Sequence, residues 1–299
     1  NTIQVIQEYW RKHNLKGEVR SRPWVNFAHN RTEAFNFGKG KADYIMTLDA
    51  DEVFAPLVDG TVDLFKKITA LPKFTKDRVE VKTHFGDVVY TRCQFYRDGL
   101  DWKWVSPIHE VCVAPDETYP AQVLKDACVY PTRDGARAKD PSRFLKDALT
   151  FERELIDAPE DARMWFYLAQ SYCDASLPER AIEPFKKCIE ISPWAEEKAV
   201  AALRLGRLYH TLEDFGKGLE WYWKSYAFSS DRVEAIYEIL RYYRLNEMWE
   251  LGVKIADLAL KCTGENTLLF IEKPLYDWKV KDEAVQCYYN TYQFNRSKK

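Results

Sequence analysis

Helical and strand-like hydrophobic patterns alternate at the start of the chain. Apolar residues recur at helical spacing over residues 2–13, which predicts an amphipathic helix. Residues 18–20 fit a short strand, and residues 27–37 fit a second helix that ends at glycines. Residues 42–48 fit a buried strand. This alternation of strands and helices predicts a parallel sheet with helices on its faces.

The pattern changes after residue 52. A short helix is predicted over residues 62–71, before a proline. Alternating apolar residues predict two strands joined by a turn at Gly86, over residues 79–83 and 88–95. Residues 110–114 and 123–130 are further strand candidates, and we expect all four strands to form a mixed side of the same domain.

From Pro141 onward the pattern is helical and contains an internal repeat. The similar segments end at tyrosines that are 37 and 34 residues apart: Tyr172, Tyr209 and Tyr243. A small residue follows each segment at the same offset: Ala181, Gly218 and Gly252. Small residues there would let the second helix of a hairpin approach the first. Paired helices with a period of about 34 residues are typical of tetratricopeptide-like repeats.

The change of pattern predicts two domains. The α/β part covers residues 1–135, and the all-α helical array covers residues 136–299. The net charge of −2 at pH 7 gives no attraction to nucleic acid, and no stretch approaches the about 20 apolar residues of a membrane span. The seven cysteines lack C-x-x-C spacing, which favours reduced thiols in a cytoplasmic protein over disulfides or a zinc site.

Two carboxylates follow the strand predicted over residues 42–48. Asp49 and Asp51 would lie at the tip of that strand, where ligands gather in open α/β sheets. Carboxylate oxygens suit a small hard cation such as Mg²⁺ or Mn²⁺, which keeps positions open for phosphate oxygens. The alternative is a solvated acidic turn after a strand.

Three motifs carry a family resemblance. Residues 24–31 read WVNFAHNR, residues 44–52 read YIMTLDADE and residues 104–110 read WVSPIHE. In this order they resemble motifs of family 2 glycosyltransferases, including a subfamily that continues into tetratricopeptide-like helices. The resemblance implies an α/β, Rossmann-like nucleotide-sugar domain of the GT-A fold. Members begin with a strand and a segment like D-x-G-S-T-D-N-T, so the first strand would be missing before Asn1.

The resemblance also implies roles for single residues. Asp49, Asp51 and His109 would bind Mn²⁺ or Mg²⁺ together with the diphosphate of a nucleotide sugar, with Asp51 the more direct carboxylate ligand. Inverting transfer needs a base that deprotonates the acceptor. Glu110 is the first candidate for this base, and Asp101 is a rival.

Further residues are candidates for donor binding. Asn26 and Arg31 match the family motif and would buttress or line the nucleotide pocket. Arg137 lies in a loop that could close over a diphosphate, although a solvated surface charge is the alternative. Trp104 could stack on a sugar ring, and core packing is its alternative. Glu52 is a third candidate for the base or a support for the metal ligands.

These observations lead to three hypotheses about function. The main one is a metal-dependent, hexosyltransferase-type glycosyltransferase whose repeats recruit a protein, peptide or glycan acceptor. The second is a non-catalytic protein-binding module built on a truncated glycosyltransferase domain. The third is a nucleotide-processing hydrolase that uses the same acidic pair.

Overall fold

The computed structural model describes residues 2–56, 73–114, 120–132, 136–265 and 267–297. The helix predicted over residues 62–71 lies outside the described residues. Two helices precede the sheet, α1 (Thr2–Lys12) and α2 (Phe27–Gly38). Residues 18–20, predicted as a strand, form no regular element and pair with none of the described strands.

Strands in the first half form a mostly antiparallel sheet. Their bounds are β1 (Tyr44–Met46), β2 (Glu52–Pro56), β3 (Arg78–Phe85), β4 (Val88–Arg97), β5 (Lys103–Val105), β6 (Val111–Val113) and β7 (Ala121–Pro131), with β8 (Ile271–Glu272) near the end of the chain. The main sheet has the order β1-β4-β3-β7-β2, and β8 pairs with β4. Within the described strands, only β3 and β7 pair in parallel.

The expectation of a parallel, GT-A-like sheet is therefore wrong. Its central prediction was the strand after α2, and this strand pairs antiparallel with β4, with Ile45 opposite Tyr96. A tight turn at Gly86, where φ is +59°, joins β3 to β4, and such a short connection permits only antiparallel pairing. The strands β5 and β6 form a separate two-stranded sheet.

The second half of the chain is an array of helices. Their bounds are α3 (Arg143–Asp157), α4 (Ala162–Asp174), α5 (Pro178–Ile191), α6 (Ala195–Thr211), α7 (Phe215–Phe228), α8 (Glu234–Leu245), α9 (Trp249–Ala259) and α10 (Val280–Ser297). A short 3₁₀ helix, Ala136–Lys139, precedes them. Helices α4 and α5, α6 and α7, and α8 and α9 pack as pairs. The aspartates Asp161 and Asp214 cap α4 and α7 by accepting backbone N–H bonds.

The repeat predicted from the sequence maps onto these pairs. Tyr172 and Tyr209 are buried in the first helices of two pairs, and Ala181 is buried in the second helix of the first pair. A Cβ atom added at Gly218 would overlap His210 on α6, so this glycine does allow a close approach within its pair. Gly252 instead faces Cys287 on α10, because the last helix packs on α9.

An extended segment joins the array to the sheet. Residues 267–272, which we call the strap, contain β8 and pair with β4 through Val89 opposite Ile271. On the array side, the backbone amides of Leu268 and Leu269 donate to Glu196 at 2.6 and 2.7 Å. Arg232 donates to the strap carbonyls at Leu269, 2.6 Å, and at Phe270, 3.3 Å.

The remaining expectations concern membrane spans, cysteines, cellular location and the domain boundary. No helix in the described part of the chain is long and apolar enough to cross a membrane. All seven cysteines are free thiols. The cytoplasmic location and the domain boundary near residue 135 stay predictions.

Candidate functional site

Arg31 on α2 connects two of the predicted site residues. Its guanidinium donates to Asp49 at 2.6 Å and to the Glu110 carboxylate. The same guanidinium lies 5.1 Å from the ring of Trp104, which is buried on β5. Burial by itself lowers the pKa of Arg31, but the bond to Asp49 and the charge of Glu110 outweigh it, so the pKa is raised. The three charges form one partly buried ion cluster.

The predicted catalytic carboxylates lie in different surroundings. Glu110 is held by Arg31, and its side chain is only 10% exposed. Glu52 is held by Arg92 at 2.6 Å. Asp101 lines a cavity of about 440 Å³ beside Trp102, and none of the other predicted site residues lines that cavity. Asp101 precedes β5 and Glu110 precedes β6, and because these strands pair antiparallel, the two residues lie at opposite ends of the strand pair.

The predicted metal ligands do not converge. Asp49 is paired with Arg31, and the carbonyl of Asp51 accepts bonds from the backbone and hydroxyl of Thr132 at 2.7 and 3.1 Å. Among the described residues, no three His, Cys, Asp or Glu side chains are placed to hold one metal ion. Asp49, Asp51 and His109 thus do not fit a shared ion in this arrangement. The Mn²⁺ or Mg²⁺ ion and the nucleotide sugar stay predictions.

Two more predicted donor-binding residues have local structural partners. The side chain of Asn26 accepts the His29 backbone N–H at 2.8 Å and caps α2. Arg137 donates to both oxygens of Asp147 at 2.5 Å, and its guanidinium lies 5.0 Å from the ring of Phe27. The contact of Arg137 with Phe27 connects the start of the array to α2.

His109 contacts the array directly. Its ring stacks on Tyr167 of α4, with centroids 4.1 Å apart and planes 9° apart. Its carbonyl accepts a bond from Arg163 at 3.1 Å, and the guanidinium of Arg163 lies 4.9 Å from the Tyr167 ring. Both His109 and Ser106 in the β5–β6 loop have positive φ, 51° and 73°. Such strained non-glycine residues often occur at binding sites.

His109 is accessible to solvent and has three arginines around it. The residue is exposed, but burial and the charges of Arg163, Arg137 and Arg204 lower the pKa of His109 to about 3. The His109 ring thus keeps access to solvent while it stacks on Tyr167 with arginines around it, and we call these surroundings the recess. The field is positive, and the imidazole is neutral at neutral pH.

Two arginines in this recess lack an acidic partner. Arg163 has a buried Nε atom that donates to nothing in the described residues. Arg204 on α6 donates to Gln170, and its guanidinium lies 4.9 Å from the ring of Phe166 and 4.6 Å from that of Phe270. Neither arginine has a carboxylate within 4.0 Å among the described residues. The set Arg31, Glu110, His109, Arg163, Tyr167 and Arg204 is called the junction site.

Sequence reasoning missed the array side of this site. Tyr167, Arg163 and Arg204 are not among the candidate residues from the sequence. One signal was available, because Arg204 lies 37 residues after Tyr167, the spacing of the first two repeats. Equivalent positions of stacked repeats line the same face, so polar residues there indicate a shared surface.

Comparisons with known proteins return helical-repeat structures. No family model and no curated protein matches the sequence. The structure is similar to that of MamA, with 15% identity over 54% of this chain and 98% of that chain and a TM-score of 0.37. It is similar to the C-terminal part of a TPR repeat-containing protein from Cytophaga hutchinsonii, with 12% identity over 52% of this chain and 56% of that chain and a TM-score of 0.40. It is also similar to kinesin light chain TPR-like repeats from Podosopora anserina, with 13% identity over 52% and 83% and a TM-score of 0.39.

The identification as a family 2 glycosyltransferase is wrong, and with it the GT-A fold and the assignment as a glycosyltransferase enzyme. No family model matches the sequence, that of the family 2 glycosyltransferases included. The sheet is mostly antiparallel, and Asp49 and Glu110 are bound to Arg31. Of the expected features, the tetratricopeptide-like array remains.

Proposed function

We propose that this chain is a protein-binding module whose junction site takes an acidic segment of a partner protein. The observation that carries the proposal is the pair Arg163 and Arg204. Both are partly exposed in the recess, and neither has a carboxylate partner in the described residues. An acidic side chain of a partner would supply the missing counter-charge.

The electrostatics of Arg204 support an anionic ligand. Burial lowers the pKa of Arg204, because its charge is partly removed from water without a paired carboxylate. The guanidinium still stays protonated at neutral pH. A carboxylate that reaches such a group forms a charge-assisted hydrogen bond, with a net contribution of about 1.5–3 kcal/mol.

The walls of the site suit a peptide. Tyr167 and the neutral ring of His109 form a stacked aromatic surface beside the arginines. Aromatic surface of this kind contributes buried area at low entropic cost, and arginine and tyrosine often dominate binding energy at interfaces. An acidic segment with apolar neighbours would use both features.

Fluorescence anisotropy tests the proposal with a labelled peptide rich in Glu and Leu and a matched peptide in which Gln replaces Glu. We expect the acidic peptide to bind, and Arg163→Gln and Arg204→Gln each to weaken it about tenfold, which corresponds to about 1.4 kcal/mol. Added salt should weaken binding further. Arg153→Gln is the control, because Arg153 is exposed on α3 and, in the part of the chain that the structure describes, bonds only to its neighbour Glu154.

Two results would contradict this function. One is equal binding of the acidic and the glutamine peptide. The other is an acidic peptide that binds Arg163→Gln, Arg204→Gln and Arg153→Gln with the same affinity, since the junction arginines would then contribute nothing specific.

A further inference from the structure

A second cavity lies on the face of the array that is opposite the junction site. It has a volume of about 370 Å³, within the range of ligand sites, and lies between α3, α4 and α5. We call it the outer groove, and the residues used below are Glu152, Trp165, Tyr172, Glu179, Arg180 and Glu183.

The outer groove is distinct from the junction site. At 100° per residue, Trp165 and Tyr172 point from the side of α4 opposite to Arg163 and Tyr167. Trp165 is held in place, since its indole N–H donates to the Pro159 carbonyl at 2.7 Å. The groove therefore has a fixed aromatic wall.

The charge of the outer groove is negative. Three carboxylates line it, from Glu152, Glu179 and Glu183, against the single guanidinium of Arg180. Glu183 pairs with Lys186 at the rim, whereas Glu179 has no partner among the described residues. A net negative cavity beside aromatic faces attracts a cationic side chain through ion pairing and cation–π contact.

Arg180 of the chain itself shows how a guanidinium fits these walls. Its guanidinium lies 4.4 Å from the ring of Tyr172 and donates to Glu152 at 3.0 Å. Among the described residues, no cation lies over the Trp165 ring, and Glu183 is paired with Lys186 at the rim.

The groove continues into an apolar surface on α3. Leu145, Leu149 and Ile156 are 39%, 52% and 77% exposed. By their helical spacing these three residues lie on the same face of α3 as Glu152, and we call them the apolar stripe. Because Glu152 lines the groove, the apolar stripe is adjacent to the cavity. An exposed apolar stripe of this kind beside a charged cavity marks an interaction surface.

We propose that the outer groove docks a basic amphipathic helix of a partner protein. Its apolar side chains would cover Leu149 and Ile156, and one Lys or Arg side chain would enter between Trp165, Glu179 and Glu183. This site does not depend on the function proposed for the junction site, since it uses other residues and the opposite charge.

The test uses ¹⁹F NMR of the chain labelled with fluorotryptophan. The Trp165 signal is the one that disappears in the variant Trp165→Phe. The probes are an amphipathic peptide of Leu and Arg and a matched peptide of Leu and Gln. We expect the arginine peptide to shift the Trp165 signal, and the pair Glu179→Gln and Glu183→Gln to weaken its binding about tenfold. The pair Glu250→Gln and Glu265→Gln removes the same charge from exposed positions elsewhere and should change nothing.

Three results would overturn the proposal. The first is an arginine peptide that leaves the Trp165 signal unchanged. The second is an equal shift with the glutamine peptide, and the third is equal weakening by both pairs of substitutions. Arg163→Gln and Arg204→Gln should leave this binding unaltered, so failure here is distinguishable from failure at the junction site.

Discussion

At the residue scale, Arg31 determines what the acidic side chains around it can do. Asp49 and Glu110 come from segments far apart in the chain, and each would be costly to bury alone. The single guanidinium binds both, so their oxygens are used as acceptors within the fold. This explains why carboxylates that look catalytic in the sequence serve as an internal ion cluster.

Replacing Arg31 by Met should therefore destabilise the protein. Two partly buried carboxylates would lose their cation, and we expect a loss of about 2 kcal/mol in the free energy of unfolding, below the cost of breaking a fully buried pair. Urea denaturation measures it. Arg22→Met breaks the exposed Arg22–Glu33 pair and should cost under about 1 kcal/mol. Equal losses in the two variants would rule out a special role of the cluster.

At the scale of elements, the helix pairs depend on close approach at glycines. Gly218 on α7 faces His210, and Gly206 on α6 faces Tyr222, so the two helices of this pair meet where side chains are absent. The pair α6–α7 is the most extensive helix contact of the array. The absence of side chains at Gly206 and Gly218 therefore helps to set the distance between the two helices.

Gly218→Ala should push the His210 side chain out of its place between α6 and α7. The added methyl group would overlap His210, and overpacking of this kind costs about 1–3 kcal/mol. Gly216→Ala is a matched control on the same helix, because its methyl group would approach nothing closer than 3.9 Å and alanine favours helix. Thermal unfolding should show a lower Tm for Gly218→Ala and an unchanged or higher Tm for Gly216→Ala. The reverse order would mean that the helices do not meet at Gly218.

At the scale of the whole molecule, the strap holds the sheet against the array. Its anchor is a buried group of Arg232, Glu196 and Glu234, with side chains 4%, 9% and 0% exposed. One positive and two negative charges leave a negative excess. Backbone amides of the strap compensate for it by donating to Glu196, and Tyr276 donates to Glu234.

Arg232→Met should loosen this connection. It leaves two buried carboxylates without their cation, which typically costs about 3–5 kcal/mol. Hydrogen exchange should show faster exchange of the Leu268 and Leu269 amides. Arg241→Met, at an exposed position on α8, should leave both amides protected. Unchanged protection in a folded Arg232→Met variant would show that the strap does not depend on this anchor.

The sequence by itself determined the elements that depend on local periodicity. Apolar spacing located α1, α2 and the strands β3 and β4, and the repeated tyrosines located the first helices of the array pairs. These features depend on residues a few positions apart, since one short segment of sequence contains the whole apolar pattern of an amphipathic element. The small residue Gly218 was recognised for the same reason, from its place in the repeat.

Only the tertiary structure decided the direction of the strands and the composition of the junction site. The strand before Asp49 pairs with a strand some fifty residues later, as Ile45 opposite Tyr96 shows, and no local pattern specifies whether such a partner is parallel. Arg31 reaches Glu110 across 79 residues, and Arg163 reaches His109 across 54. A charge acts on whatever lies within a few ångströms, so whether a carboxylate or an arginine is paired depends on how distant segments pack.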